Sequence, residues 1–136
     1  MRLLSINAKT LAITALETET FLETAYDHIK THVVDVVRVS DNIDIWIDDN
    51  GRISPSEDVR LSNDHVYGFL LETKDGLKLP LAGHIIITGG ADDDGNTLGT
   101  DLQPEQVKNE VFLDRPHGVE QAPLGFTLTP CYVPLL

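Results

Sequence analysis

The sequence predicts an α+β fold in a single domain, a mixed, mostly antiparallel sheet of five to seven strands with two helices packed on it. Three observations lead there. Short β-branched or alternating apolar runs recur along the chain, above all at residues 33–39, 43–48 and 85–88. Helical spacing occurs in only two stretches, one opening at Thr20 and the other at Pro104. The turn dipeptides Asn50-Gly51 and Asp75-Gly76 and the pair Gly89-Gly90 punctuate the strand runs.

Taken in order, residues 2–7 and 11–16 are two apolar-rich runs around Ala8-Lys9-Thr10, which predicts a hairpin. Thr20 and Glu23 have the spacing of a capping box. Phe21, Leu22, Ala25, Tyr26 and Ile29 then form one face of a helix of about three turns. Residues 33–39 and 43–48 come next as strands. In the second, Ile43, Ile45 and Ile47 alternate with Asp44, Trp46 and Asp48, so one buried and one mostly wet face are expected. Asn50-Gly51 before Arg52-Ile53 is the strongest local hairpin signal, because Asn-Gly accepts the positive φ angles of a type I′ turn. Residues 54–64 are polar and aperiodic, a loop long enough to suspect of function.

Residues 66–72 form another strand, and Asp75-Gly76 turns into residues 77–81, where Pro80 argues against a central position. Residues 81–88 are almost continuously apolar, the composition of a strand buried on both faces. That strand delivers the chain into the acidic loop Gly89-Gly90-Ala91-Asp92-Asp93-Asp94-Gly95. Pro104 suits the first position of the second helix, which runs through Val107, Val111 and Phe112, and Glu105 suits its positive end. Residues 1–114 are read as the α+β domain. Residues 115–136, broken by four prolines, are read as an irregular tail packed on the body or on another subunit, and oligomerisation through the tail would complete the fold.

Composition narrows the function. A length of 136 residues suits one core, and 41% hydrophobic against 24% charged residues is ordinary globular usage. The formal charge is −12 and divides evenly, each half of the chain carrying six more acidic than basic side chains. Such a field repels phosphate backbones and anionic lipid, so direct nucleic-acid binding and membrane association are not expected. Cys131 is the only cysteine, which removes an intrachain disulfide and any multi-thiolate zinc site and fits a reducing, cytoplasmic setting. No signal sequence or membrane-spanning run is apparent.

The candidate chemical motifs are weak. The loop at residues 89–95 lies between a strand and a helix, but its spacing is not Gly-x-Gly-x-x-Gly and three aspartates would face a phosphate. Asp92, Asp94 and Asn96 alternate like the first ligands of a calcium loop, yet Thr97 stands where that loop needs glycine and Gln103 where it needs a bidentate glutamate. His28 and His32 are spaced four apart without the glutamate of a zinc protease; Ile29 holds that place. His65, His84 and His117 are isolated, His84 standing out because it begins the buried strand. The serines lack a nucleophile elbow, and nothing around Cys131 marks a reactive thiol. No catalytic residue, metal site or cofactor is therefore predicted.

The opening Met-Arg-Leu-Leu-Ser-Ile, the acidic Ile-Asp-Ile-Trp-Ile-Asp-Asp-Asn-Gly-Arg-Ile segment and Ala-Gly-His-Ile-Ile-Ile-Thr-Gly-Gly-Ala-Asp-Asp-Asp-Gly-Asn before Leu-Gln-Pro-Glu-Gln carry a resemblance. Over roughly residues 1–112 the chain resembles domain of unknown function 3846, a family of short phage and plasmid proteins. Its most specific parts are residues 48–52 and 82–96, and residues 115–136 fall outside it. Gln103-Pro104 departs from the Thr cap usual there, and residues 54–61 lack the usual Pro-Asn-Arg-like segment. The resemblance implies a phage or mobile-element setting and transfers no catalytic residue.

The expected function is thus a small acidic binding protein that sequesters or blocks a host component, with an anti-defence role in that setting. In one version the partner is a small signalling ligand held at an interface lined by Tyr26, Trp46, Tyr67 or Tyr132. In the other it is a host protein met by an acidic face of Asp41, Asp44, Asp48, Asp49 and Asp92, Asp93 and Asp94. Salt should weaken the second steeply. The alternatives are a small metal-dependent hydrolase of nucleotide-like metabolites, using Asp92 or His28, and a virion accessory protein.

Overall fold

A computed structural model describes residues 1–49, 67–112 and 119–132. The fold is α+β, and its strands divide between two antiparallel sheets instead of sharing one. The chain runs β1 (Arg2–Ile6), β2 (Ile13–Glu17), α1 (Phe21–Ile29), β3 (Val34–Ser40), β4 (Ile43–Asp48), β5 (Tyr67–Thr73), β6 (Lys78–Ala82) and β7 (Ile85–Thr88). A short α2 (Pro104–Gln106) continues as a π-helical turn over Val107–Val111, a 3-10 turn covers Val119–Gln121, and β8 (Phe126–Tyr132) closes the described chain. The five-stranded sheet has the order β2-β1-β7-β4-β3 and the three-stranded sheet the order β6-β5-β8.

Ile85–Thr88 is the central strand of the larger sheet, pairing with β1 on one side and β4 on the other. The apolar run at 81–88, however, is two strands. Leu81 and Ala82 end β6 in the small sheet, Gly83 turns the chain at φ +89°, and Ile85 starts β7 in the large one. The end of β6 and all of β7 are buried, and the polar residue between them, His84, is buried as well, so the glycine, free to take positive φ, is the local sign of the turn.

The layers result from strand periodicity. Leu4, Ile6, Ile43, Ile45, Ile47, Ile85 and Ile87 face one way and pack with Phe69, Leu71, Leu81, Phe126 and Leu128 of the small sheet and Val107 and Val111 of the π turn. The opposite face of the large sheet, through Leu3, Ile86 and Trp46, takes Ala25, Ile29 and Phe21 of α1. The alternating pattern of β4 is therefore present, but its second face is not wet. Asp44 and Asp48 are only 3% and 5% exposed.

Several local expectations meet a different outcome. Thr20 precedes α1 without a side-chain cap, so the capping box with Glu23 does not form. Thr18 fills part of that role: its Oγ1 accepts from the Thr20 N–H at 3.0 Å and pairs with Thr24 Oγ1 at 2.8 Å. The helix ends at Lys30, in the left-handed region at φ 62°. Gln103 and Gln106 cap α2 reciprocally, the Gln103 N–H donating to Gln106 Oε1 at 2.8 Å, with Pro104 behind them at the helix start.

The segment read as an irregular tail contains β8, which pairs with β5 along seven residues from Tyr67↔Tyr132 to Thr73↔Phe126. Pro80 and Pro130 lie on the two edge strands of the small sheet, where a missing N–H costs no ladder bond. The Asn50-Gly51 turn, the loop at 54–64 and His117 lie outside the described residues. Among the described residues no helix is long and apolar enough to cross a membrane.

Candidate functional site

A concavity opens at the C-terminal end of β7. Gly89 and Gly90 follow the strand, and a side chain on either would collide with backbone: a Cβ at Gly90 would lie 2.0 Å from the Asp41 carbonyl oxygen, and one at Gly89 2.3 Å from that of Gly99. The pair is glycine because two other chain segments press onto it, not because it cradles phosphate. Hydrogen bonds hold the second of those segments in place. The Gly89 N–H donates to Leu98 O and the Leu98 N–H to Gly90 O, each at 2.9 Å.

Arg2 holds the chain beyond Gly99. Its guanidinium donates to the Thr100 carbonyl at 2.9 Å and to that of Leu102, while the Thr100 N–H returns a bond of 2.9 Å to Arg2 O. Around this floor opens a cleft of about 560 Å3. Its walls are the β3–β4 turn at Asp41 and Asn42, the segment from Leu98 to Leu102, and Pro123 and Leu124 ahead of β8. Its apolar surface comes from Ile43, Leu98, Leu102, Pro123 and Leu124, with Leu98 46% exposed. Among the described residues the charged side chains on it are Asp41 and Asp101, both exposed carboxylates. The volume suits a metabolite-sized ligand, and the lining is more polar than apolar, the five apolar residues sharing it with short polar side chains and glycine backbone.

The aromatic residues singled out in the sequence do not converge. Trp46 packs edge-on against Phe21 with ring centroids 4.8 Å apart and donates its indole N–H to Thr88 Oγ1 at 2.9 Å, on the α1 side of the large sheet. Tyr26 lies on α1, half-buried. Tyr67 and Tyr132 do meet, at 5.7 Å, but as a cross-strand pair at one end of β5 and β8. None of the four lines the cleft.

The acidic set divides as well. Asp41, Asp49, Asp92, Asp93 and Asp94 are exposed, whereas Asp44 and Asp48 are buried and do not belong to a surface. Asp44 accepts from Arg38 Nε at 3.2 Å. Asp92 organises its own loop: its carboxylate accepts the Asn96 and Asp94 N–H groups at 2.8 and 2.9 Å. The Asn96 N–H above all, with the Asn96 side chain and the Asp94 and Gly95 amides, holds the Asp92 carboxyl below its usual value, against an opposing desolvation effect.

A second, smaller pocket of about 240 Å3 lies between β1, the end of α1 and His84, lined by Ser5, Asn7, Asp27, His28, Lys30 and His84. Ser5 Oγ and His28 Nδ1 are 3.3 Å apart. Nδ1 of the buried His84 accepts the Ala8 N–H at 2.9 Å, which in the neutral ring leaves the proton on Nε2. Among the described residues no group of three or more His, Cys, Asp or Glu side chains is placed to hold a metal, and Asp92 and His28 belong to separate parts of the molecule. Burial raises the Cys131 thiol above its ordinary value, the opposite of an activated nucleophile.

Fold and cleft together define a small acidic α+β protein, two antiparallel sheets with one flanking helix and an open pocket at the end of the central strand. Residues 1–115 match the family described as Domain of unknown function (DUF3846), and the chain belongs to that family. No curated protein and no solved structure matches it.

Proposed function

We propose that this protein acts by binding instead of turnover, sequestering or blocking a component of the cell it enters, in the phage or mobile-element setting that its resemblance implies. The observation that supports this is the cleft beside Gly89-Gly90: its walls are held by backbone packing and by Arg2, so the free protein presents the pocket already formed. A pocket that needs little ordering loses little entropy on binding, which favours tight retention. In that setting an anti-defence role would follow, with a small ligand in the cleft as the sequestered component.

Native mass spectrometry tests the reading, comparing wild type taken directly from its host cell with Leu98→Trp, which places an indole in the cleft mouth. The wild type should carry a stoichiometric added mass that the variant lacks. A wild type that emerges bare, or an added mass that Leu98→Trp leaves in place, would remove the basis for the cleft as the binding site.

A further inference from the structure

We infer that the cleft selects an organic cation of metabolite size, an alkylammonium compound whose nitrogen lies by Asp41 and Asp101 and whose aliphatic body lies against Leu98, Leu102 and Leu124. This rests on the reading of the cleft as the binding site. Every charged side chain lining it among the described residues is a carboxylate, on walls that approach from different parts of the chain, the β3–β4 turn and the segment that leads into α2. The guanidinium of Arg2, packed nearby, donates to the Thr100 and Leu102 carbonyls and does not line the cleft.

The surroundings reinforce the sign. A concave surface concentrates the field of the charges on its rim, and the whole chain adds a formal charge of −12. An anion would enter against both. A neutral apolar ligand would satisfy the leucines and leave the two carboxylates to solvent, whereas an amine on a hydrocarbon stem matches both parts of the lining. The acidic loop at Asp92, Asp93 and Asp94 lies outside the lining and provides an internal comparison.

Calorimetric titration of the intact protein with spermidine at low ionic strength, with 1,8-octanediol as the uncharged control, tests this. One-to-one binding of spermidine and none of the diol are expected. Asp41→Asn and Asp101→Asn should each weaken binding two- to fivefold, as loss of one solvent-exposed charge pair does. Leu98→Ala should weaken it as well. The triple variant Asp92→Asn, Asp93→Asn, Asp94→Asn removes more charge from outside the cleft and should weaken binding less than the Asp41→Asn, Asp101→Asn pair. No binding of spermidine, equal binding of the diol, or a triple variant that loses as much as the Asp41→Asn, Asp101→Asn pair would overturn the inference. The two readings fail separately: an added mass released by Leu98→Trp with no affinity for spermidine keeps the binding role and removes only the cationic ligand.

Discussion

Replacing Gly90 with alanine tests the packing on which the cleft depends. The added Cβ would lie 2.0 Å from the Asp41 carbonyl oxygen and 3.0 Å from its carbon, so the β3–β4 turn must shift by more than an ångström or the end of β7 must bend. Neither neighbour is a flexible side-chain tip. Overpacking of this kind costs about 1–3 kcal/mol, and here the upper end applies because backbone must move. Gly90 has no positive φ, so alanine recovers about 0.4–1 kcal/mol from the less flexible unfolded chain. The net loss is about 2 kcal/mol, which for a chain of this size lowers the melting temperature by about 6–8 °C. Gly95→Ala is the comparison. Its Cβ meets nothing within 4 Å, but its φ is +83°, so it should cost only the left-handed strain of about 1 kcal/mol. Urea unfolding at constant m reads both. A Gly90→Ala protein as stable as Gly95→Ala would refute the reasoning, since close approach of backbone is the only cause it assigns.

Two further perturbations probe other parts of the same structure. Thr88→Val removes an oxygen that accepts the Trp46 indole N–H and donates to Gly89 O at 3.0 Å, so about 1–3 kcal/mol should be lost, with a shift in fluorescence from the only tryptophan; unchanged stability would show that these groups find other partners. For Asp92 the folded pKa lies below the unfolded value of about 3.9, so its contribution is present above that pH and disappears as pH falls through the folded value. Its carboxyl carbon should titrate below about 3.9 by NMR, and Asp92→Asn should speed amide exchange at Asp94 and Asn96; a titration at or above that value would contradict the hydrogen bonds.

Strand positions are legible where alternation or β-branching is strong. Ile43–Asp48 and Ile85–Thr88 occupy the positions that their patterns predict, and Pro80 stands on an edge strand. The division into two sheets is hidden because the residues on both sides of Gly83 are buried and the polar one, His84, reads as the start of one continuous buried strand. The expected wetness of the second face of β4 fails for a related reason. Periodicity tells which residues share a face, but not that α1 will pack on Trp46 or that Arg38 of β3 will pair with a buried Asp44. In the tail the prolines mask a period-two signal: Phe126 and Leu128 are buried in the core between the two sheets, and Pro130 fits because β8 is an edge.

The cleft is less legible than the fold, because its walls come from residues 40–43, 89–90, 98–102 and 123–124, segments that only the two sheets and Arg2 bring together. The one advance sign is Gly89-Gly90, where the local pattern reads as a turn into an acidic loop and the actual demand is close contact between backbones. That demand separates two kinds of change at the site. Side chains at Asp41, Leu98 and Asp101 are exposed, and substitutions in such places usually alter stability by less than about 0.5 kcal/mol. The glycines beneath them cannot vary without moving the central strand or the turn it supports. Ligand preference can therefore change along the rim while the floor stays constant, so two chains with this floor and different rims would bind different compounds in pockets of one shape.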